Sequence, residues 1–101
     1  MDIKQLTDEM ISFVRSKGWF EADTKRPQTP RNLSISLALE AAEILEHFQW
    51  REEVKDKEEL ASELADVALY LLELASVTGI DLEEAMLKKL EINASREWDK
   101  E

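Results

Sequence analysis

Glu40 and Glu43 stand three residues apart in LEAAEILEHFQW, and Glu63 and Asp66 repeat the spacing in ELADVALYL. On a helix that spacing sets two side chains about 60° apart and nearly one turn removed, so each pair can aim two carboxylates at one point. Oxygen donors arranged in this way suit a hard divalent cation such as Mg2+, which takes a few carboxylates, keeps some waters and bridges to phosphate oxygens. Acids three apart also occur on many solvated helices, where they only face water. Position separates the two readings. On a helical wheel Glu40 falls about 20° from Leu33 and about 40° from Ile44, beside the stripe Leu33, Leu37, Ala41, Ile44 and Phe48. Glu63 falls about 20° from both Tyr70 and Leu74, inside the arc of Leu60, Leu64, Val67, Leu71 and Leu74, with Asp66 beside Val77. Ionised carboxylates bordering a core are costly unless positive charge compensates them, and a divalent ion does this better than scattered lysines.

Lys89 and Asn93 form a third anomaly. Four residues apart, they fall about 20° to either side of Leu82 and next to Met86, which predicts that both face inward. A snorkelling lysine and a backbone-bonded asparagine would look the same. Beside Glu40 and Glu63, the pair reads as contacts to a phosphate or a base. His47 is the one histidine and is assigned no chemistry. No Glu-x-x-His motif is present, which disfavours a di-iron bundle. Gly-rich phosphate loops and nucleophile elbows are absent as well.

Four helices are predicted to carry these residues. Helix 1 spans residues 3–17, with Asp2 as a capping candidate, the stripe Ile3, Leu6, Met10, Phe13 and Val14, and Gly18 as its stop. Residues 19–29 have no clear period and form a long loop containing Trp19, Phe20, Lys25, Arg26 and Pro27. Helix 2 begins at Thr29-Pro30, where Thr caps and Pro fits the first helical position, and runs to residue 51. Asp56 with Glu59 opens helix 3, which ends at Thr78-Gly79; Asp81 with Glu84 opens helix 4, expected over residues 82–98. The fold class is therefore all-α, a four-helix bundle-type subunit in one domain of residues 1–101. Helix 3 is apolar around most of its circumference, with Leu69 and Leu72 opposite the inward stripe, so burial on more than one side is expected. A homodimer is the minimum unit that provides it.

Composition limits the alternatives. Thirteen Lys and Arg against 23 Asp and Glu give a net charge of -10, which disfavours a nucleic-acid partner. A polyphosphate bridged by divalent cations remains compatible. With no cysteine, disulfides and thiolate metal sites are excluded, and a reducing cytoplasmic setting is allowed. The longest apolar run, residues 67–72, is far too short to span a membrane, and the first ten residues carry no signal-peptide pattern, so an unprocessed cytoplasmic protein is expected.

PRNLSISLALEAAEILEHFQW, then ELADVALYL, then KLEIN, together resemble the all-alpha MazG-like nucleotide pyrophosphohydrolases, and among them the dCTP pyrophosphatase branch, over about residues 19–93. Specificity lies in the combination: E-x-x-E, the FQW after it, E-x-x-D on the next helix, and Lys with Asn on the last. The resemblance implies hydrolysis of a nucleoside triphosphate, such as dCTP or a related dNTP, to the monophosphate and pyrophosphate in nucleotide-pool cleaning. It implies Mg2+ held by Glu40, Glu43, Glu63 and Asp66, the same four serving catalysis, and assembly into a homotetramer. It further implies that Trp19 and Trp50 enclose the base, that Arg31 and Asn32 shape the pocket, and that Tyr70, Lys89 and Asn93 line the substrate. The segment from Trp19 to Pro30 looks longer than in the dCTP branch and lacks a histidine, which leaves base preference open. The competing class is a non-catalytic helical interaction module, whose acids are surface charges and whose apolar faces bind a protein.

Overall fold

The computed structural model describes residues 1–96, which form four helices in the order α1 (Ile3–Ser16), α2 (Pro30–His47), α3 (Lys57–Val77) and α4 (Leu82–Ser95). Each start is fixed by a side chain that satisfies an otherwise orphaned backbone N–H. Asp2 accepts from the Gln5 amide while the Gln5 side chain accepts from the Asp2 amide, a complete capping box. Thr29 accepts from the Asn32 amide at 3.1 Å, with Pro30 in the first helical position. Asp56 and Asp81 accept from the amides of Glu59 and Glu84.

Two helices end on the same device. Gly18, at φ +73°, lets the Trp19 amide reach back to the Val14 carbonyl and its own amide to that of Arg15. Gly79, also at φ +73°, does this with Ile80 against Ala75 and its own amide against Ser76. Both are Schellman turns, which need a residue at ease in the left-handed region. The end of α2 differs from expectation. It closes at His47 with Phe48 as cap, short of residue 51, because residues 48–50 form turns bonded back to Leu45 and Glu46. The expected continuation of α4 to Trp98 lies outside the described residues.

α3 is the central element, packed along α2 on one side and α1 on another, while α4 meets α1 lightly. Val14, Leu33, Met10, Leu72 and Ala75 are the buried apolar residues. This corrects the expected helix 3 face: Leu72 is buried, whereas Leu64 and Leu71, placed inward by the wheel, are exposed. A helix that is apolar nearly all round gives the wheel no basis for choosing a side. Leu6 and Phe13 of the helix 1 stripe and Ala41 of the helix 2 stripe are likewise exposed. α4 buries nothing fully; Lys89, expected inward, is exposed, and Asn93 is half-buried. The radius of gyration is 16.4 Å, against about 13 Å for a compact chain of this length. The four helices thus leave large apolar surfaces open, among them Leu45 (73% exposed) and Leu90 (63%).

Candidate functional site

Packing of α2 along α3 brings the two acidic pairs together. The charges of Glu43, Asp66 and Glu63 all act on Glu40, whose carboxyl is held above its ordinary range, first by burial and then by these like-charged neighbours. Glu40 and Glu63 are half-buried, and each has one carboxylate oxygen, Oε2, that is buried without a hydrogen-bond partner. Glu43 and Asp66 are exposed. Buried acceptors of this kind ordinarily have partners, so two on facing helices call for a donor or a cation.

Among the described residues, no three acidic or histidine side chains stand as a ready-made metal cage. The acids feel one another's charge without converging on a single point. Their chemistry still fits Mg2+, because every donor is a carboxylate oxygen and two of those oxygens are buried and unbonded. The fit therefore rests on orphaned oxygens and donor type.

A cavity of about 600 Å³ opens beside this cluster, between α1, the 19–29 loop, α2 and α3. Asp66 belongs to both, since it lines the cavity and acts on Glu40. Trp19 and Phe13 meet edge to face at 5.7 Å, and the Arg26 guanidinium lies over the Trp19 ring at 5.6 Å. The Schellman turn at Gly18 is what folds Trp19 back over α1. Asn32 donates from Nδ2 to the Pro27 carbonyl at 3.0 Å, tying the loop to the start of α2. Tyr70 lines the wall from α3. Lys25 and Arg26 add positive charge on the loop side.

Of the residues singled out from sequence, Trp19, Asn32, Tyr70 and Asp66 share this cavity. Glu40, Glu43 and Glu63 adjoin it through Asp66. Arg31, Trp50, Lys89 and Asn93 are not among its lining residues; Trp50 is 86% exposed. Sequence reasoning missed Glu73, which also lines the cavity and is 0% exposed, with both carboxylate oxygens unpartnered. Burial pushes its carboxyl up to about 6. A signal was present: Glu63, Asp66, Tyr70 and Glu73 follow a 3-4-3 spacing along one side of α3, so Glu73 lies about two turns beyond Asp66 on the side that carries the acidic pair.

The sequence profile of the MazG-like family matches residues 35–101. dCTP pyrophosphatase 1 of Mus musculus is 34% identical over 85 residues, and that of Homo sapiens 35%, each covering 75% of this chain and 50% of the relative. The chain thus spans about half the length of these curated relatives. The crystal structure of a pyrophosphatase from Archaeoglobus fulgidus superposes with a TM-score of 0.79 at 36% identity, covering 96% of this chain and 92% of the other.

Proposed function

This chain belongs to the MazG-like family, and from that premise we propose that it hydrolyses nucleoside triphosphates to the monophosphate and pyrophosphate in a Mg2+-dependent reaction. The observation that carries the proposal is the continuity between an aromatic cavity able to take a base and an acidic cluster able to take a metal-bound triphosphate, joined at Asp66. The names of the relatives, dCTP pyrophosphatase and pyrophosphatase, support the same reaction class. A deoxynucleotide such as dCTP is the substrate we infer, with a role in cleaning the nucleotide pool. No described helix is long and apolar enough to cross a membrane, and we place the reaction in the cytoplasm.

Glu40, Glu43, Glu63 and Asp66 are the proposed metal ligands. A bound Mg2+ would neutralise triphosphate charge and make the phosphorus more electrophilic. The chain's own contribution is placement. Trp19 and Tyr70 hold the base, and the cluster end of the cavity receives the phosphates. Attack by water on the α-phosphorus breaks the bridging α–β P–O bond, and pyrophosphate leaves. We assign Glu40 to orient that water and accept its proton, since the charges of the other three acids all act on it and raise its carboxyl.

We further propose that the working unit is a homodimer or, as the resemblance suggests, a homotetramer. The extended subunit, its open apolar faces and the placement of Arg31, Trp50, Lys89 and Asn93 outside the cavity all support completion of the site by a second copy. Sedimentation equilibrium should return at least twice the 11.7 kDa chain mass at micromolar concentration; a monomer refutes assembly.

The decisive experiment is pyrophosphate release from a panel of dNTPs and NTPs with Mg2+, and again with EDTA. Release that EDTA abolishes is expected. If no nucleotide yields pyrophosphate with any divalent ion, the reading as a non-catalytic interaction module replaces this one.

A further inference from the structure

The cavity wall holds a buried charged group that its proposed role in base stacking does not use. Glu73 is fully enclosed, both of its carboxylate oxygens are unbonded, and it shares the cavity wall with Phe13, Leu33, Leu69 and Tyr70. Neither Lys25 nor Arg26, which also line the cavity, donates to it. Arg26 is instead set over the Trp19 ring. A buried carboxylate whose acceptors all go unmet is rare in a folded protein, and in a ligand cavity it marks the place where the ligand supplies the donor.

We propose that Glu73 accepts a hydrogen bond from the exocyclic amino group of the nucleobase, so that the chain selects cytosine-, adenine- or guanine-type nucleotides over uracil and thymine. This rests on the reading of the cavity as the base site and adds the group that discriminates there. The chemistry is directional. An exocyclic amino group lies at the rim of its ring and can offer an N–H without presenting a carbonyl beside it. In uracil and thymine the one Watson–Crick donor, N3–H, lies between two carbonyl oxygens, which would face the second carboxylate oxygen with like polarity. Guanine adds a second parallel N–H, from N1, that a carboxylate accepts in the same plane. A site that has buried an acceptor for one donor rejects an analogue lacking it more strongly than an apolar pocket rejects a missing methyl group. The upward displacement of the Glu73 carboxyl, caused by burial alone, agrees with an acceptor that has no partner until ligand arrives.

The test compares dCTP with dUTP, which differ in amino against carbonyl at C4 and in the N3 proton that goes with the carbonyl, by kcat/KM in the native chain, Glu73→Leu and Glu73→Gln. Binding of dCMP and dUMP by titration calorimetry without divalent ion is measured in parallel. The native chain should prefer the cytosine member at least tenfold in both assays. Glu73→Leu should collapse that ratio at least tenfold. Glu73→Gln, whose amide pairs as well with uracil (accepting from N3–H and donating to O4) as with cytosine (accepting from the amino group and donating to N3), should narrow the dCTP preference over dUTP and lose dGTP. A ratio unchanged in Glu73→Leu, equal binding of the two monophosphates, or no binding of either overturns the proposal. Glu73-dependent binding of dCMP without hydrolysis of any nucleotide would keep this inference and reject the hydrolytic function. Glu73→Gln, which conserves shape, guards against a folding defect in Glu73→Leu.

Discussion

Two kinds of stressed carboxylate, Glu40 beside Asp66 and Glu63 of α3, and Glu73 about two helical turns beyond Asp66 on the same helix, differ in what stresses them. At Asp66 and Glu63 the neighbours are other acids: Glu40 is raised by burial first, and then by the charges of Glu43, Asp66 and Glu63. At Glu73 burial alone raises the carboxyl, to about 6. Like charges crowded together are relieved by a cation that all of them can share. A solitary carboxylate in an apolar cavity is relieved by a hydrogen-bond donor placed in its plane, or by a proton. The same helix can therefore serve a metal end and a base end, with Tyr70 and the aromatic wall between them.

The sharpest way to break this contrast is to neutralise the crowded acids one at a time. Glu40→Gln, Glu43→Gln, Glu63→Gln and Asp66→Asn should each lower the rate of pyrophosphate release by about a hundredfold or more while the helices stay folded by circular dichroism. Glu52→Gln, at an exposed position after α2, should stay within about twofold of the native rate. Full activity in all four variants would remove the metal end of the argument.

A second experiment separates the two ends without any turnover. Mg2+ that binds only the folded chain raises its melting temperature by mass action. The rise expected in the native chain should vanish in a Glu40→Gln, Glu63→Gln double variant, because these two acids hold the buried unbonded oxygens. It should persist in Glu73→Leu. An equal loss in both variants would mean that the cluster and the cavity are one electrostatic unit.

How much of this was legible in the sequence follows the same division. Helix starts were legible because the caps are local: Asp2, Thr29, Asp56 and Asp81 each satisfy an amide three residues on. Gly18 and Gly79 were legible as stops for the same reason. The end of α2 was not, since the stripe continues through Phe48 while the backbone already turns there. The facing of α3 was hidden by its apolar circumference, and the light contact of α4 depends on where other helices lie, which no wheel contains. Within the site, Glu40 and Glu63 stood out as acids beside leucines. Glu73 did not, because its burial depends on how α1 and α2 pack against α3, contacts remote in sequence.

The smallest predicted effect tests the solitary carboxylate through stability. Glu73 ionises in the unfolded chain near its ordinary 4.5 and in the folded chain only near 6. Below about 4.5 it is neutral in both states and carries no ionisation penalty. Between these values the folded chain binds more protons than the unfolded chain, so stability falls as pH rises, and the penalty is complete above about 6. Its upper limit is about 2 kcal/mol, and relaxation of the surroundings around the charge reduces it to about 1 kcal/mol. Glu73→Leu removes the titration. In urea unfolding, the stability difference between this variant and the native chain should therefore be about 1 kcal/mol more favourable to Leu at pH 8 than at pH 4. Every other acid titrates in both proteins, so the difference of differences isolates Glu73. A gap that does not change with pH would mean that the carboxylate already has a partner in the folded chain, and the contrast between a crowded and a solitary acid would collapse into a single kind of site.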